Sequence, residues 1–424
     1  MQITSAAPPK APGLNVIAYI DASEKVVEPF LANRLEDFEQ VRQDDPSITI
    51  NATVVRSGVG PVAKGLAGLS KLAVTAAAPI AGYAVGGVTG LAVGSLLAAG
   101  LFAVGFTRQG LGEVVSAFYH RKMVPDGDWS GQRTFEIAPD DDAGLVSQHS
   151  EGSQDLGQFL GSKLDPQANN VVVLGGHGLG YRQVASMPTS QVRLAFEQAA
   201  RLSGTIPQVV LMESCLMSNL EALEQLKGQA QVAVVSEETL GVTALPMKEM
   251  LVEAARHATP QEIGRSMVAA AAKTGEVETI AAIDLSKLDD LNRALDVAGQ
   301  KLLGEIRAGK KEEVQTAARQ AFPFPQGKML FLERTLLGLS DLGNFLDNLQ
   351  QANLGQDTRQ AAADARQALA GLILAEHRSE DYQSASGISF ERKNADFLAG
   401  PGMDSYHNVA NLPQSWKDLV RELS

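Results

Sequence analysis

The chain has 424 residues, 45% hydrophobic and 20% charged, enough to bury the core of one large α/β domain with additions or of roughly two or three units. A formal net charge of −13 argues against a broad nucleic-acid footprint, which needs clustered Lys and Arg, and favours cationic partners. One cysteine, Cys215, excludes intrachain disulfides and cysteine metal clusters, and the six histidines are scattered without ligand spacing.

The opening MQITSAAPPKAPG has no basic leader ahead of an apolar run, so it reads as a flexible lead and the expected compartment is the cytoplasm. LNVIAYIDA (14–22) is a buried strand by its continuous apolar run, 26–41 has helical spacing, and ITINATVV (48–55) alternates as a second strand. Strand, helix, strand begins a βαβ series and hence a mainly parallel sheet.

An insertion over 59–125 interrupts the series. No charge occurs from Leu72 to Thr107, and Gly82, Gly86, Gly90 and Gly94 fall on one helix face, where another helix can approach closely. The stretch is long enough for one membrane span, but a single pass would separate the first strands from the rest of the sheet, so an even number of passes or none is required. Lys64 and Lys71 before it, with Arg108, Arg121 and Lys122 after it, suit a hairpin with both ends cytoplasmic. A glycine-rich hairpin packed on the protein itself is the competing reading.

The alternation resumes with a strand at 132–138, a helix at 153–164 and a strand at 170–176. A helix follows at 189–204, with Thr189 as N-cap and Gly204 past its end. PQVVLME (207–213) is a strand, 216–228 a helix and 232–238 a strand. The chain after residue 246 reads as largely helical, with short β-like pieces at 279–285 and 385–391. Open parallel sheets react at the carboxyl ends of their strands, and two strands here end in reactive residues: His177 after VVVLGG and Cys215 after VVLMES. A right-handed crossover sets those ends side by side. A thiolate attacks a carbonyl, an imidazole protonates the departing amine, and the N–H groups of Gly178 and Cys215 could hold the oxyanion. A helix starting just after Cys215 would favour negative charge on its sulfur. Against this stand an inert core cysteine and a histidine in local hydrogen bonds. A dinucleotide loop fails because the third glycine position of GGHGLG is Tyr181.

A buried strand ending in His-Gly followed by one ending in acidic-small-Cys resembles the caspase, gingipain and clostripain group of cysteine peptidases, and within it the clostripain-like family. SCLMSNLEALEQLKGQAQVAVVSEE (214–238) resembles that family's cysteine block, and TIAAIDLSKLDDLNRAL (279–295) its later segment. The resemblance covers nearly the whole chain outside 59–125. It implies a caspase-like, mainly parallel sheet flanked by helices. It makes His177 the general acid/base, Cys215 the nucleophile, and Glu213, Ser214 and Glu237 substrate-binding residues. Glu213 stands where the family has an Asp that receives a basic side chain. Three positions depart from the pattern: Gly176 replaces an Asp, Ser214 replaces Ala, and no aromatic follows in TLGVTALP (239–246). Relatives often cut themselves between the two blocks, where Arg182, Arg193 and Arg201 lie. Calcium, used by some relatives, is the one ion the resemblance brings; no other cofactor is expected.

The expected organisation is a lead (1–13), a peptidase core (14–58 and 126–246), the apolar insertion (59–125) and a helix-rich C-terminal region packed on the core (247–424). The expected function is an endopeptidase cleaving protein or peptide substrates after Arg or Lys, self-processing and touching a membrane through 60–118. The alternative is a degenerate membrane-anchoring or peptide-binding protein on the same fold.

Overall fold

The computed structural model describes residues 13–23, 31, 34–56, 129–137, 148–151, 155–241, 244–326, 338–392, 403–406, 409 and 411–423. The glycine-rich insertion lies outside them.

Nine strands make the main sheet: β1 (Leu14–Ala22), β2 (Thr49–Arg56), β3 (Gly131–Ile137), β4 (Gln148–Glu151), β5 (Asn169–Gly175), β6 (Val209–Glu213), β7 (Val232–Val235), β8 (Thr279–Asp284) and β11 (Ile373–Arg378). Their order is β11-β8-β7-β6-β5-β1-β2-β3-β4, with β9 (Pro323–Phe324), β10 (Leu339–Asp341) and β12 (Ser389–Glu391) forming a small second sheet. The five central strands, β7 to β2, are parallel, and antiparallel strands extend both edges. β8 and β11 complete this sheet, so the chain beyond residue 246 contributes strands as well as helices to the core.

Central parallel strands are covered on both faces and so need apolar residues at every position. Val172, Leu174, Val210, Met212, Ala233 and Val235 enter one apolar layer. Helices α2 (Leu156–Lys163) and α3 (Thr189–Ser203) pack there, followed along the chain by α4 (Leu220–Leu226). The intervening Val171, Val173, Val209, Leu211, Val232 and Val234 enter the opposite layer under α1 (Arg34–Asp44), α5 (Met247–Ala254) and α6 (Pro260–Ala272). The C-terminal helices α7 (Leu288–Arg307), α8 (Lys311–Gln320), α9 (Leu342–Gln351), α10 (Gln356–Leu372) and α11 (Gln414–Leu423) thicken the first layer. There Phe345 and Phe390 stack at 5.1 Å beside Trp416.

Three local expectations are corrected. The helix after Cys215 begins at Leu220, with Asn219 as its side-chain cap, because Leu216 adopts a left-handed φ of +63° that no helix contains. Thr189 is the first residue of α3 rather than its cap. Its hydroxyl donates to the Tyr181 carbonyl and bonds Asp404, while Gly204 closes the helix at φ +73° as expected. β11 falls in a stretch read as helical.

α4 is short and wholly buried, and its Glu221 accepts from the Glu391 amide at 3.1 Å while the Tyr406 hydroxyl sits 3.4 Å away. Burial pushes the Glu221 carboxyl from 4.5 up to about 7 against those donors. The folded protein therefore holds a proton that the unfolded chain releases, and stability falls as pH rises from 4.5 through about 7. Glu221→Gln is expected to remove a loss of about 3 kcal/mol across that window, read from urea unfolding at the two pH extremes. Equal pH slopes in variant and wild type would count against this account.

Candidate active site

Parallel pairing of β5 with β6 sets Gly175 beside Glu213, so the two chains leave the sheet at one level. His177 and Cys215 each lie two residues beyond that pair. The Gly176 N–H donates to the Glu213 carbonyl at 3.2 Å, carrying the ladder one step past the strands. The loops then touch backbone to backbone: a Cβ on Gly178 would lie 2.3 Å from the Cys215 carbonyl oxygen, 2.8 Å from its nitrogen and 2.9 Å from the Ser214 Cβ. Glycine after the histidine is thus a packing requirement. The small Ser214 fits for the same reason, lying 1% exposed beneath the histidine loop.

The departure at Gly176 also has a steric cause. Its φ is +145°, and a Cβ there would stand 3.0 Å from the Ala185 Cα and 3.2 Å from the Asp21 carbonyl oxygen. An aspartate does not fit that position without rebuilding the rim. His177 is half-buried, and its carbonyl receives the Ser186 N–H at 3.4 Å from a tight turn in which Ala185 and Ser186 both have positive φ.

Cys215 is half-buried, with Leu179 and Phe322 in the same apolar cluster. Its sulfur receives the Leu240 N–H at 3.4 Å and lies 3.7 Å from the Leu240 carbonyl oxygen. The helix dipole invoked from sequence does not act on it, since α4 starts five residues later and is capped by Asn219. Leu240 supplies a backbone donor instead.

The carboxylates behave differently from expectation. Glu213 is 4% exposed and bound to Arg34 at the start of α1. Nε donates to both carboxylate oxygens, at 2.8 and 3.1 Å, and Nη2 donates to Oε1. Burial acts to raise the Glu213 carboxyl and Arg34 opposes it, while Glu213 and Asp37 together outweigh burial at Arg34 and keep the guanidinium charged. Two N–H groups make three contacts with its two oxygens, the fork that pairs a guanidinium with a carboxylate.

Glu237, expected to line the cleft, is 1% exposed and faces inward. Burial first and Asp341 second push its carboxyl well above the ordinary value. Asp341 accepts the amides of Asn344 and Ser386, each at 2.6 Å, so the shared proton resides on Glu237, whose Oε2 accepts the Gly387 N–H at 2.9 Å. Glu237 anchors the C-terminal region and does not present a charge to substrate.

Two of the arginines between the two loops are committed to ion pairs. Arg182 is fully buried against Glu391 at 2.9 Å, Arg193 sits within α3 bound to Glu197, and Arg201 lies in the last turn of that helix. None lies in an extended accessible segment.

The clostripain family model matches residues 167–399, more than half of the chain and both candidate loops. The chain belongs to the clostripain family. It is accordingly a cysteine peptidase, a hydrolase. Among solved structures it is similar to a secreted C11 cysteine protease from Bacteroides thetaiotaomicron, 12% identical, covering 90% of this chain and 94% of that one at a TM-score of 0.54. It is also similar to an inactive zymogen C11 protease from Parabacteroides distasonis, 10% identical, covering 91% and 93% at a TM-score of 0.52. These likenesses establish the α/β fold with its helix-rich C-terminal part. No curated protein matches the chain.

Among the described residues no three His, Cys, Asp or Glu are grouped to hold a metal ion, so no step is assigned to calcium. Arg34, Leu240 and Asp341 are the site-forming residues that sequence reasoning missed. A buried glutamate ending a strand does signal that a cation must exist somewhere to meet it. Gly178→Ala is expected to cost about 1–3 kcal/mol by overpacking, measured by urea unfolding, and to speed alkylation of Cys215 as the two loops part. Unchanged stability and alkylation would mean that the loops do not touch.

Proposed function

We propose that this clostripain-family protein hydrolyses peptide bonds with Cys215 as nucleophile and His177 as general acid and base. The observation that carries the reading is the register of β5 and β6, which delivers the only thiol in the chain and an imidazole to adjoining loops. The Cys215 sulfur attacks the carbonyl carbon, and the Leu240 N–H supports negative charge on that sulfur beforehand. The oxyanion forms between the N–H groups of Gly178 and Cys215, whose backbones touch. Protonated His177 gives its proton to the leaving amine as the C–N bond breaks. The thioester is then cleaved by a water whose proton returns to His177.

Substrates are proteins or peptides, and the net charge of −13 draws cationic ones. A preference for Arg or Lys at the cleaved bond needs Glu213 to be open to substrate, and Arg34 closes it.

Membrane contact is the second reading, supported by the uncharged stretch from Leu72 to Thr107 and its glycines spaced by four. Among the described residues no helix is long and apolar enough to cross a membrane.

Cys215→Ala is expected to abolish turnover of fluorogenic peptides and His177→Ala to lower kcat/KM by about 10²-fold or more. Turnover that persists without Cys215 would end the reading. In liposome flotation, wild type is expected to rise with the vesicles and a protein lacking 60–118 to stay below; equal behaviour of the two would remove membrane contact.

A further inference from the structure

We infer that Arg34 is an internal occupant of the seat that Glu213 would offer a basic substrate side chain, and that it sets the specificity of this protein away from Arg and Lys. The inference rests on the reading of Glu213 as the substrate-facing carboxylate of a Cys215 peptidase. Glu213 ends β6 two residues before Cys215, and its carbonyl receives the Gly176 N–H from the histidine loop. Arg34 comes to it from the layer that covers Val209 and Leu211, at the first turn of α1. Its Nη2 also donates to the Leu245 carbonyl at 3.1 Å, in the segment whose Leu240 meets the Cys215 sulfur. The ion pair and the nucleophile are therefore held by one stretch of chain.

The chemistry of the pair decides which cation wins. A substrate arginine would present the same planar fork that Arg34 already lays on the two oxygens of Glu213. A second guanidinium could reach only the lone pairs that Arg34 leaves, and would lie against a like charge in a buried site. Exchanging Arg34 for a substrate cation would replace one such pair by another and would give up the bonds from Arg34 to Asp37 and to the Leu245 carbonyl. Selectivity is a difference between partners, and here the exchange yields no gain for a cationic side chain over a neutral one of the same shape. A vacated Glu213, by contrast, would be a buried carboxylate lacking a counter-ion, and would discriminate steeply in favour of a cation.

Two arms test this. Wild-type protein is given peptide pairs identical except for arginine or citrulline before the cleaved bond; kcat/KM values within about tenfold of each other are expected. A wild-type preference for arginine above about 10²-fold would overturn the inference. In the second arm Arg34→Met, which keeps the apolar stem, is compared with wild type and with Arg34→Met/Glu213→Gln in thermal unfolding with and without agmatine, a small guanidinium compound. Agmatine is expected to raise the Tm of the single variant only, and that variant is expected to gain a preference for arginine over citrulline. A variant that is folded by circular dichroism, yet neither stabilised by agmatine nor shifted in preference, would overturn it. If wild type cleaves neither peptide, the Cys215 reading falls while agmatine stabilisation still decides who occupies Glu213. If Arg34→Met does not fold, the arginine–citrulline ratio of wild type decides alone.

Discussion

The pairing of β5 with β6 transmits order from the core to the reactive loops. Each strand is apolar on both faces, so each is gripped by two layers, and the pair Gly175–Glu213 is the last point at which the sheet holds them. Beyond it the loops rest on each other and on the neighbouring segments at Asp21, Ser236, Glu238 and Leu240. The contact between Gly178 and Cys215 is so close that no side chain fits at 178, and Gly176 is equally constrained by Asp21 and Ala185. A register slip of one residue would carry a side-chain-bearing residue, His177 or Leu179, onto the Cys215 backbone and drive Glu213 among valines. The catalytic reading thus depends on a sheet property set by residues far from any substrate.

Two strand-end carboxyls show how the fold handles buried charge near that rim. Glu213 meets a guanidinium, whose charge opposes the upward push of burial on its carboxyl. Glu237 instead keeps a proton facing Asp341, and burial holds both carboxyls above their ordinary values. Each solution ties a distant segment to the sheet: α1 through Arg34, and the β10–α9 junction with Gly387 through Glu237. Glu221 does the same for β12, and Arg182 adds a second link to Glu391 there. The last part of the chain is therefore fastened to the strand ends by polar contacts as well as by its aromatic packing. That is why the family's peptidase body reads as one fold across the position where the sequence changes to helix-rich composition.

Much of this was visible in the residues. β1, β5 and β6 stand out because strands buried on both faces are uninterrupted apolar runs, and the two reactive residues follow directly from where those runs stop. Other elements carry weaker marks. β9 and β10 are two and three residues long, too short to show a period, whereas β12 falls within the β-like piece expected at 385–391. β11, ILAEHR, continues the composition of the Ala-rich helix before it and is only half-buried at the sheet edge, so no alternation distinguishes it. Helical spacing extends back to Leu216 in LMSNLEALEQL, yet the chain spends those first residues in a turn; Asn219 was the better start signal. Arg34 lay beyond reach for another reason. A contact between positions 34 and 213 is tertiary, and nothing in local periodicity shows which of 36 basic residues answers a given carboxylate.

The turn after Cys215 also changes what must activate the thiol. Had a helix begun there, its unpaired amides would have shared the work of holding a thiolate. With Leu216 at φ +63° the chain instead swings away, and Leu216 and Ser218 donate to the carbonyls of Glu238 and Ser236 on the neighbouring strand end. The turn leaves the sulfur receiving the Leu240 N–H. A backbone amide is a weaker stabiliser of negative charge than a helix terminus backed by several, so on the proposed mechanism more of the burden passes to the imidazole. In the proposed dyad His177 would then both generate the nucleophile and protonate the leaving amine.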